Sequence, residues 1–406
     1  MSSRRRFLIQ AAGSLAGAAL VPELAAMGPR TLAAPAKVGL VGCGRQGRAI
    51  AEELAKIAGA ELAAVCDTNP ARLKATTDRL AGAEGFADHR ALLERRSDVT
   101  AIIVATPTHL HRQIVEDALA AGRHVYCESP LAHTLEDARA MAAAAGGAKT
   151  VAMAGFQARS NPLYQRARPL VRTDAVRNLI SLQAQWHRKT SWQFPPPAGM
   201  PDPQANWRLD PAVSLGLPGE VGAQQLDVFV WLRNRMPSRI EGRGAVRHHD
   251  DGRTVPDTVH LAVGWDDRVV LDYAASLGTS YGGAYEVFHG SNGTVKLSWS
   301  HGWLFKEPDA PTQGWEVYAT RQQFHQDEGI ILVADATKLA AQGQLAKGIG
   351  LPYSPLYYAL GDFLKSATEG STVVCTMADG LKATALGILA NQAVTQGTPV
   401  TIPTDL

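Results

Sequence analysis

The stretch Lys37-Val-Gly-Leu-Val-Gly-Cys-Gly-Arg-Gln-Gly47 limits what this chain can fold into more than any other. Val38 to Val41 is a short apolar run that reads as a buried strand, and it passes directly into Gly42-x-Gly44-x-x-Gly47. The residues from Arg48 to Ile57 then have helical spacing. In such a turn one glycine permits the tight bend, one lets the backbone approach a pyrophosphate, and one lets helix and strand pack closely. The unsatisfied N–H groups at the helix start face the anion. A second apolar strand, Glu61-Leu-Ala-Ala-Val-Cys66, ends in Asp67, 20 residues beyond Gly47. A carboxylate there accepts hydrogen bonds from ribose hydroxyls. Glycines alone also occur in ordinary βαβ units; the glycines with this acid point to a dinucleotide. Asp67 favours NAD because it repels a 2′-phosphate, while Arg45 and Arg72 leave NADP open.

From Lys37 to about Gly155 strands and helices alternate. Helices are expected over Pro70–Ala81, His89–Arg96, His109–Ala121 and Leu135–Ala145. Strands are expected over Thr100–Ala105, Arg123–Cys127 and Thr150–Ala154. Repeated units of this length imply a parallel, doubly wound sheet with ligands at the carboxyl ends of its strands. Asp67, Thr106 and Glu128 stand at such ends.

Beyond Gly155 the pattern changes. A helix over Pro162–Val171 leads to a strand over Ile180–His187, then to an irregular stretch from Arg188 to Pro218. A loop of that length in a compact domain is usually functional. A helix follows over Glu220–Arg233. Period-two runs at Ser238–Val246, Thr258–Trp265, Val269–Ala275, Tyr285–His289 and Thr294–Trp299 imply a largely antiparallel sheet, with Asn292-Gly293 as a hairpin turn. Three late helices near Gly329–Ala341, Leu356–Thr368 and Ala378–Val394 are expected to close this second, α+β domain. The boundaries drawn are 1–36, 37–155 and 156–406.

The first of these segments reads as a leader. Ser3-Arg-Arg-Arg-Phe-Leu8 precedes an alanine-rich run to about Ala26 and the small residues Ala34-Pro-Ala36. That is the pattern of a twin-arginine export signal, removed after the folded protein crosses to the periplasm. Gly13, Gly17, Pro22 and Glu23 interrupt the run and make it short for a bilayer span, so no membrane partner is expected once the leader is gone. The formal charge of the whole chain is +2, which gives no basic field for nucleic acid. Cys43, Cys66, Cys127 and Cys375 match no metal spacing and read as core thiols near the cofactor crevice.

Taken together, the glycine motif, Asp67, Thr106-Pro107-x-x-x-His111 and Gly122-x-His-Val-Tyr-Cys-Glu-Ser-Pro-Leu131 resemble the Gfo/Idh/MocA oxidoreductase family. Trp186-His187-Arg188, Asn206-Trp207-Arg208 and Gly219-Glu220-Val-Gly-Ala-Gln-Gln-Leu-Asp227 extend the likeness across the chain after the leader. The resemblance implies a Rossmann domain followed by a domain whose open, mainly antiparallel sheet serves homo-oligomerisation. It also implies NAD(P), held tightly, and a sugar or polyol substrate whose carbinol hydride moves to nicotinamide. On this reading Gly42, Gly44, Arg45, Gln46, Gly47, Asp67, Thr106, Pro107, His111, Glu128 and Gln157 bind cofactor. Arg159, Trp207 and Arg208 face substrate.

The family usually moves the hydroxyl proton with a lysine in Glu-Lys-Pro and with an acid and a histidine four residues apart. Here the lysine position is Ser129, and the histidine position, four beyond Glu220, is Gln224. Neither replacement is a useful base at neutral pH. Three outcomes follow. Redox chemistry survives on other groups, with His187, Glu220 and Tyr281 added to Ser129 and Gln224 in the catalytic set. Alternatively the chain is an NAD-dependent glycosidase or lyase that oxidises its substrate transiently, or it is a nucleotide-binding protein with no catalysis. His109 reads as a helix-opening residue and Asp227 is as readily structural. No histidine–carboxylate cluster has metal spacing.

Overall fold

The computed structural model describes residues 28–80, 82–332 and 350–406. Most of the expected leader, and most of the helix expected over Gly329–Ala341, lie outside the described residues.

The first sheet has six parallel strands. β1 (Thr31–Val41) is followed by α1 (Arg45–Leu54), β2 (Ala58–Cys66), α2 (Pro70–Thr77), β3 (Glu84–Phe86) and α3 (His89–Arg95). Then come β4 (Ala101–Val104), α4 (His111–Ala120), β5 (His124–Glu128), α5 (Leu135–Gly147) and β6 (Ala152–Gly155). The order across the sheet is β3-β2-β1-β4-β5-β6. Strand order reverses beside β1, and the crevice at the carboxyl ends of β1 and β4 is where ligands bind in such sheets. The helices start where local chemistry starts them. Asn69 caps α2 ahead of Pro70 by accepting from the Arg72 N–H, and Thr134 caps α5 by accepting from Asp137. α4 turns Ile114, Val115, Ala118 and Leu119 inward, one apolar face against the sheet.

β1 begins at Thr31, within the segment the sequence assigns to the leader. Ala36 pairs with Ala60, Leu32 is buried, and the Arg30 guanidinium lies 3.1 Å from Asp362. Residues 30–36 are therefore packed into the nucleotide domain.

The second sheet has ten strands in the order β14-β15-β13-β12-β11-β7-β10-β9-β8-β16. α6 (Pro162–Val171) precedes β7 (Leu179–His187), and the long irregular stretch carries only α7 (Asp202–Ala205) and a 3-10 turn at Trp207–Leu209. A π turn at Pro218–Gly222 opens α8 (Ala223–Arg233). The remaining strands are β8 (Arg239–Ala245), β9 (Thr258–Gly264), β10 (Val270–Ser276), β11 (Ala284–Gly290), β12 (Gly293–Ser298), β13 (His301–Lys306), β14 (Arg321–Gln323), β15 (Glu328–Ile331) and β16 (Val400–Thr401). All pairings are antiparallel except β10 with β7. β15 occupies the start of the expected Gly329–Ala341 helix. Its Ile330 pairs with Leu304 of β13 and with Arg321 of β14, and pairing on both sides overrides the local helical spacing there.

Two long helices finish the chain, α9 (Pro355–Glu369) and α10 (Met377–Gln396). They do not simply close the second domain. α9 packs Tyr357, Leu360, Phe363 and Leu364 against Val38, Leu40 and Tyr126 of the first sheet and Ile50 of α1. α10 lies between the two domains. Its Gly380 sits against Ala154 and Leu131, and its Val394 against Gly242 of β8.

Candidate active site

At the nucleotide end the backbone forms an open cradle. Gly42 has φ 103°, and a Cβ there would lie 2.5 Å from the Ala105 carbonyl oxygen, so no other residue fits without moving β4. A Cβ on Gly44 meets nothing within 4 Å, which leaves room for a ligand at the mouth of α1. No side chain caps α1, and its first backbone bond is Arg48 N–H to Gly44 O at 3.0 Å. The N–H groups of Arg45, Gln46 and Gly47 therefore have no helical partner, and they suit an anion. Gly47 does not line the cleft; its missing side chain lets α1 lie on Gly42.

Asp67 follows β2. Its Oδ2 accepts from Cys43 N–H and its Oδ1 from Asn69 N–H, each at 2.8 Å. Both bonds fix the carboxylate while each oxygen keeps a free lone pair for a ribose hydroxyl. The residues present fit a dinucleotide. Thr106, Pro107 and Gln157 line the same cleft of about 970 Å³. Glu128 accepts from Gln46 Nε2 at 2.9 Å, and burial pushes its carboxyl up to about 7. His111 is buried, with Nε2 2.9 Å from Thr106 O and Nδ1 3.1 Å from Leu131 O. Burial pushes its ring down to about 4, and a neutral ring has one N–H, so it donates to the carbonyl on one side only.

Farther along the cleft the π turn presents Glu220, and the first turn of α8 presents Gln224. π turns are frequent at functional sites. Glu220 Oε2 lies 3.4 Å from Arg208 Nε but makes no hydrogen bond. Burial raises the Glu220 pKa and the Arg208 charge opposes that rise. The Arg208 guanidinium rests 4.4 Å from the Trp207 ring and 5.9 Å from the Trp192 ring. Gln224 Nε2 donates to Ser129 Oγ at 2.6 Å and to Gly155 O at 3.0 Å. His109 lines this end as well, edge-on to Trp207, with a buried Nδ1 that has no hydrogen-bond partner.

Residues 36–156 match the NAD-binding Rossmann-fold domain of the Gfo/Idh/MocA oxidoreductases, and residues 197–402 match the C-terminal alpha/beta domain of the same family. The chain belongs to the Gfo/Idh/MocA family. Levoglucosan dehydrogenase of Pseudarthrobacter phenanthrenivorans is 23% identical over 343 residues, 78% of this chain and 83% of the relative. Inositol 2-dehydrogenase of Acidothermus cellulolyticus is 28% identical over 267 residues, 64% of this chain and 72% of the relative. Among solved structures, levoglucosan dehydrogenase in complex with NADH and L-sorbose has a TM-score of 0.72 at 20% identity, covering 92% of this chain and 99% of that one.

Within this Gfo/Idh/MocA fold, three more residues expected in the site, besides Gly47, lie elsewhere. His187 does not line the cleft; its Nδ1 is 3.3 Å from the Tyr281 carbonyl oxygen. Side chains alternate along a strand, and here Trp186 and Arg188 face the cleft while His187 does not. Tyr281 is 89% exposed on the turn before β11. Arg159 is buried and held by Asp227 through Nε and a terminal nitrogen at 2.9 and 2.8 Å, with Asp379 3.0 Å away. It joins α8 to α10 and does not face substrate.

Trp192, Phe194 and Arg188 are also on the cleft wall, in irregular backbone where spacing carries no direction. His109, a helix-opening residue by its sequence, joins them from a 3-10 turn at Thr108–Leu110. The four cysteines are free and buried, as core thiols should be.

Proposed function

We propose that this protein is an NAD-dependent dehydrogenase of a sugar or polyol hydroxyl in which Glu220 takes the hydroxyl proton. The carrying observation is the Glu220 carboxylate: it is buried at the substrate end of the cleft, with one oxygen free of hydrogen bonds and a guanidinium beside it. Bound in the cleft, NAD supplies the hydride acceptor. Burial makes Glu220 a stronger base than an exposed carboxylate, and the Arg208 charge opposes part of that rise. Ser129 and Gln224 orient a hydroxyl without taking its proton. Trp207 and Arg208 offer a sugar ring an aromatic edge and fixed donors. His109 stands at the same end of the cleft, and burial lowers its pKa. Asp67 supports NAD over NADP.

The sugar-related names of the relatives support this substrate class. The twin-arginine pattern at Arg4-Arg-Arg-Phe-Leu8 supports export to the periplasm, and the alternating outer faces of β9 and β12 support self-association through the second sheet.

The test is NADH formation with levoglucosan, myo-inositol and a panel of monosaccharides. Turnover of at least one is expected, lowered about 10²–10⁴-fold by Glu220→Gln. If the protein binds NADH yet reduces NAD with none of them, while cleaving a glycoside, transient oxidation replaces this reading.

A further inference from the structure

The cleft has a wall that neither the glycine motif nor the substrate groups account for. After β7 the chain leaves the second domain and reaches back over the nucleotide domain before returning at the π turn. Its outgoing end is pinned to the second sheet: Arg188 N–H donates to Ser276 O at 3.0 Å, and Thr190 N–H to Leu277 O at 3.1 Å. The buried Trp192 takes the left-handed conformation, φ 66°, and turns the chain.

The excursion then closes on itself. Asn206, 5% exposed, accepts from Phe194 N–H at 2.8 Å and donates to Phe194 O at 3.0 Å and to Asp202 Oδ1 at 3.0 Å. Residues 194–206 are thus a compact loop with its two ends clamped, and loops of this kind hold their own shape. Its tip contains Pro195-Pro-Pro197 and Pro201, whose rings fix φ and lower the cost of ordering it.

That tip is fastened to the ribose site. Asn69 Nδ2 donates to Ala198 O at 3.1 Å across 129 residues of sequence. The backbone N–H of the same Asn69 holds Asp67 Oδ1, and its Oδ1 caps α2. Phe194, Met200 and Pro203 of the loop face the same cleft as Gly42, Asp67 and Arg72. Phe194 leaves 46% of its surface uncovered, and among the described residues its ring stacks on no other aromatic, which leaves it open to a flat ligand ring.

We propose that residues 194–206 form a strap, supplied by the second domain, that roofs the adenosine end of the cleft and retards departure of the dinucleotide. The inference rests on the NAD reading above. Retention follows from geometry: the adenosine end is walled by two domains, and the Asn69–Ala198 bond must break before the wall can lift. The strap also explains how a catalytic cleft and a cofactor seat share one enclosure: Trp207 and Arg208, which face substrate, follow the strap directly in sequence.

The experiment measures NADH release from the full-length protein by stopped-flow fluorescence, with excess NAD as displacer, beside equilibrium affinity from calorimetry. Two variants are used. One replaces residues 195–201 by two glycines. The other is Asn69→Ser, which keeps a hydroxyl cap on α2 but withdraws the donor from Ala198. Release should be more than 10-fold faster from the shortened strap. From Asn69→Ser it should be about 2- to 10-fold faster, the range one neutral hydrogen bond supports. Association should be unchanged or faster in both. If the shortened chain does not fold, judged by circular dichroism, Asn69→Ser alone decides. Release within a factor of two of the parent protein in the folded variants overturns the strap. Failure of the parent protein to bind NADH removes the NAD reading itself, and the strap with it.

Discussion

Gln224 donates its side-chain amide to the Ser129 hydroxyl at 2.6 Å, so the two positions at which this chain departs from its family's usual proton-handling residues touch each other. The contact is neutral on both sides. A lysine and a histidine there would be a cation beside a titratable ring; a serine and a glutamine form a fixed hydrogen-bonding pair with no proton to give away. The two positions are therefore one structural unit, which is why the proposal above gives the acid–base work to Glu220.

A pair that only orients should be worth little when cut. Ser129→Ala is expected to lower kcat less than 10-fold and to leave NADH affinity unchanged, in contrast to the much larger loss from Glu220→Gln. Steady-state rates at saturating NAD compare the two, and a loss of 10³-fold from Ser129→Ala would make Ser129 a proton-transfer group.

Burial raises the Glu220 pKa above the carboxylate value of 4.5. As a base it must be ionised, so kcat/KM should fall as pH drops through that raised value. The acid limb of the profile should lie above pH 4.5 and vanish in Glu220→Gln. A limb that persists in the variant belongs to another group, and His109→Asn would then identify it.

Arg159 and Asp227 are a buried bidentate pair, with side chains 7% and 2% exposed. Removing Asp227 leaves the buried Arg159 charge with Asp379 as its remaining ion-pair partner, 3.0 Å away. Asp227→Ala should cost at most the ~3–5 kcal/mol of a fully stranded charge in urea unfolding. The cost should be unaffected by NAD concentration beyond the ordinary mass-action gain, because neither residue faces the cleft.

Glu286 is fully buried in the second domain, where it accepts from Tyr164 and Gln225, and desolvation pushes it up to about 7. Between pH 4.5 and 7 the folded state holds this proton and the unfolded state does not. Its contribution to stability is thus present below pH 4.5 and declines as pH rises to 7, by about 1.4 kcal/mol per pH unit. Glu286→Gln keeps the shape and one of the two acceptor oxygens, presents an amide donor in place of the other, and removes the titration. The difference between parent and variant in urea melts at pH 5 and pH 8 should therefore shift toward the variant at pH 8.

The segment from Arg30 to Ala36 completes the first sheet, with Ala33 N–H bonded to Glu369 at 2.9 Å and Arg30 paired to Asp362. A chain beginning at Lys37 should melt roughly 5 °C or more below one beginning at Gly28, measured by calorimetry. Equal melting temperatures would show that this segment adds nothing.

By itself the sequence determined the nucleotide half. The glycines, Asp67, Thr106 and Glu128 act at strand ends and helix starts, where backbone sterics and capping operate over a few residues and can be read locally. It also marked Glu220, Trp207 and Arg208. The tertiary structure alone decided which neighbours join them. Strand alternation aims Trp186 and Arg188 at the cleft and His187 away, a register set by pairing with β10 and β11 and not by the strand's own residues. Packing drew α9 onto the first sheet, because its apolar face fits whichever sheet it meets. The path of the strap depends on Asn69 and Ala198, 129 residues apart, whose bond exists only once both domains have folded.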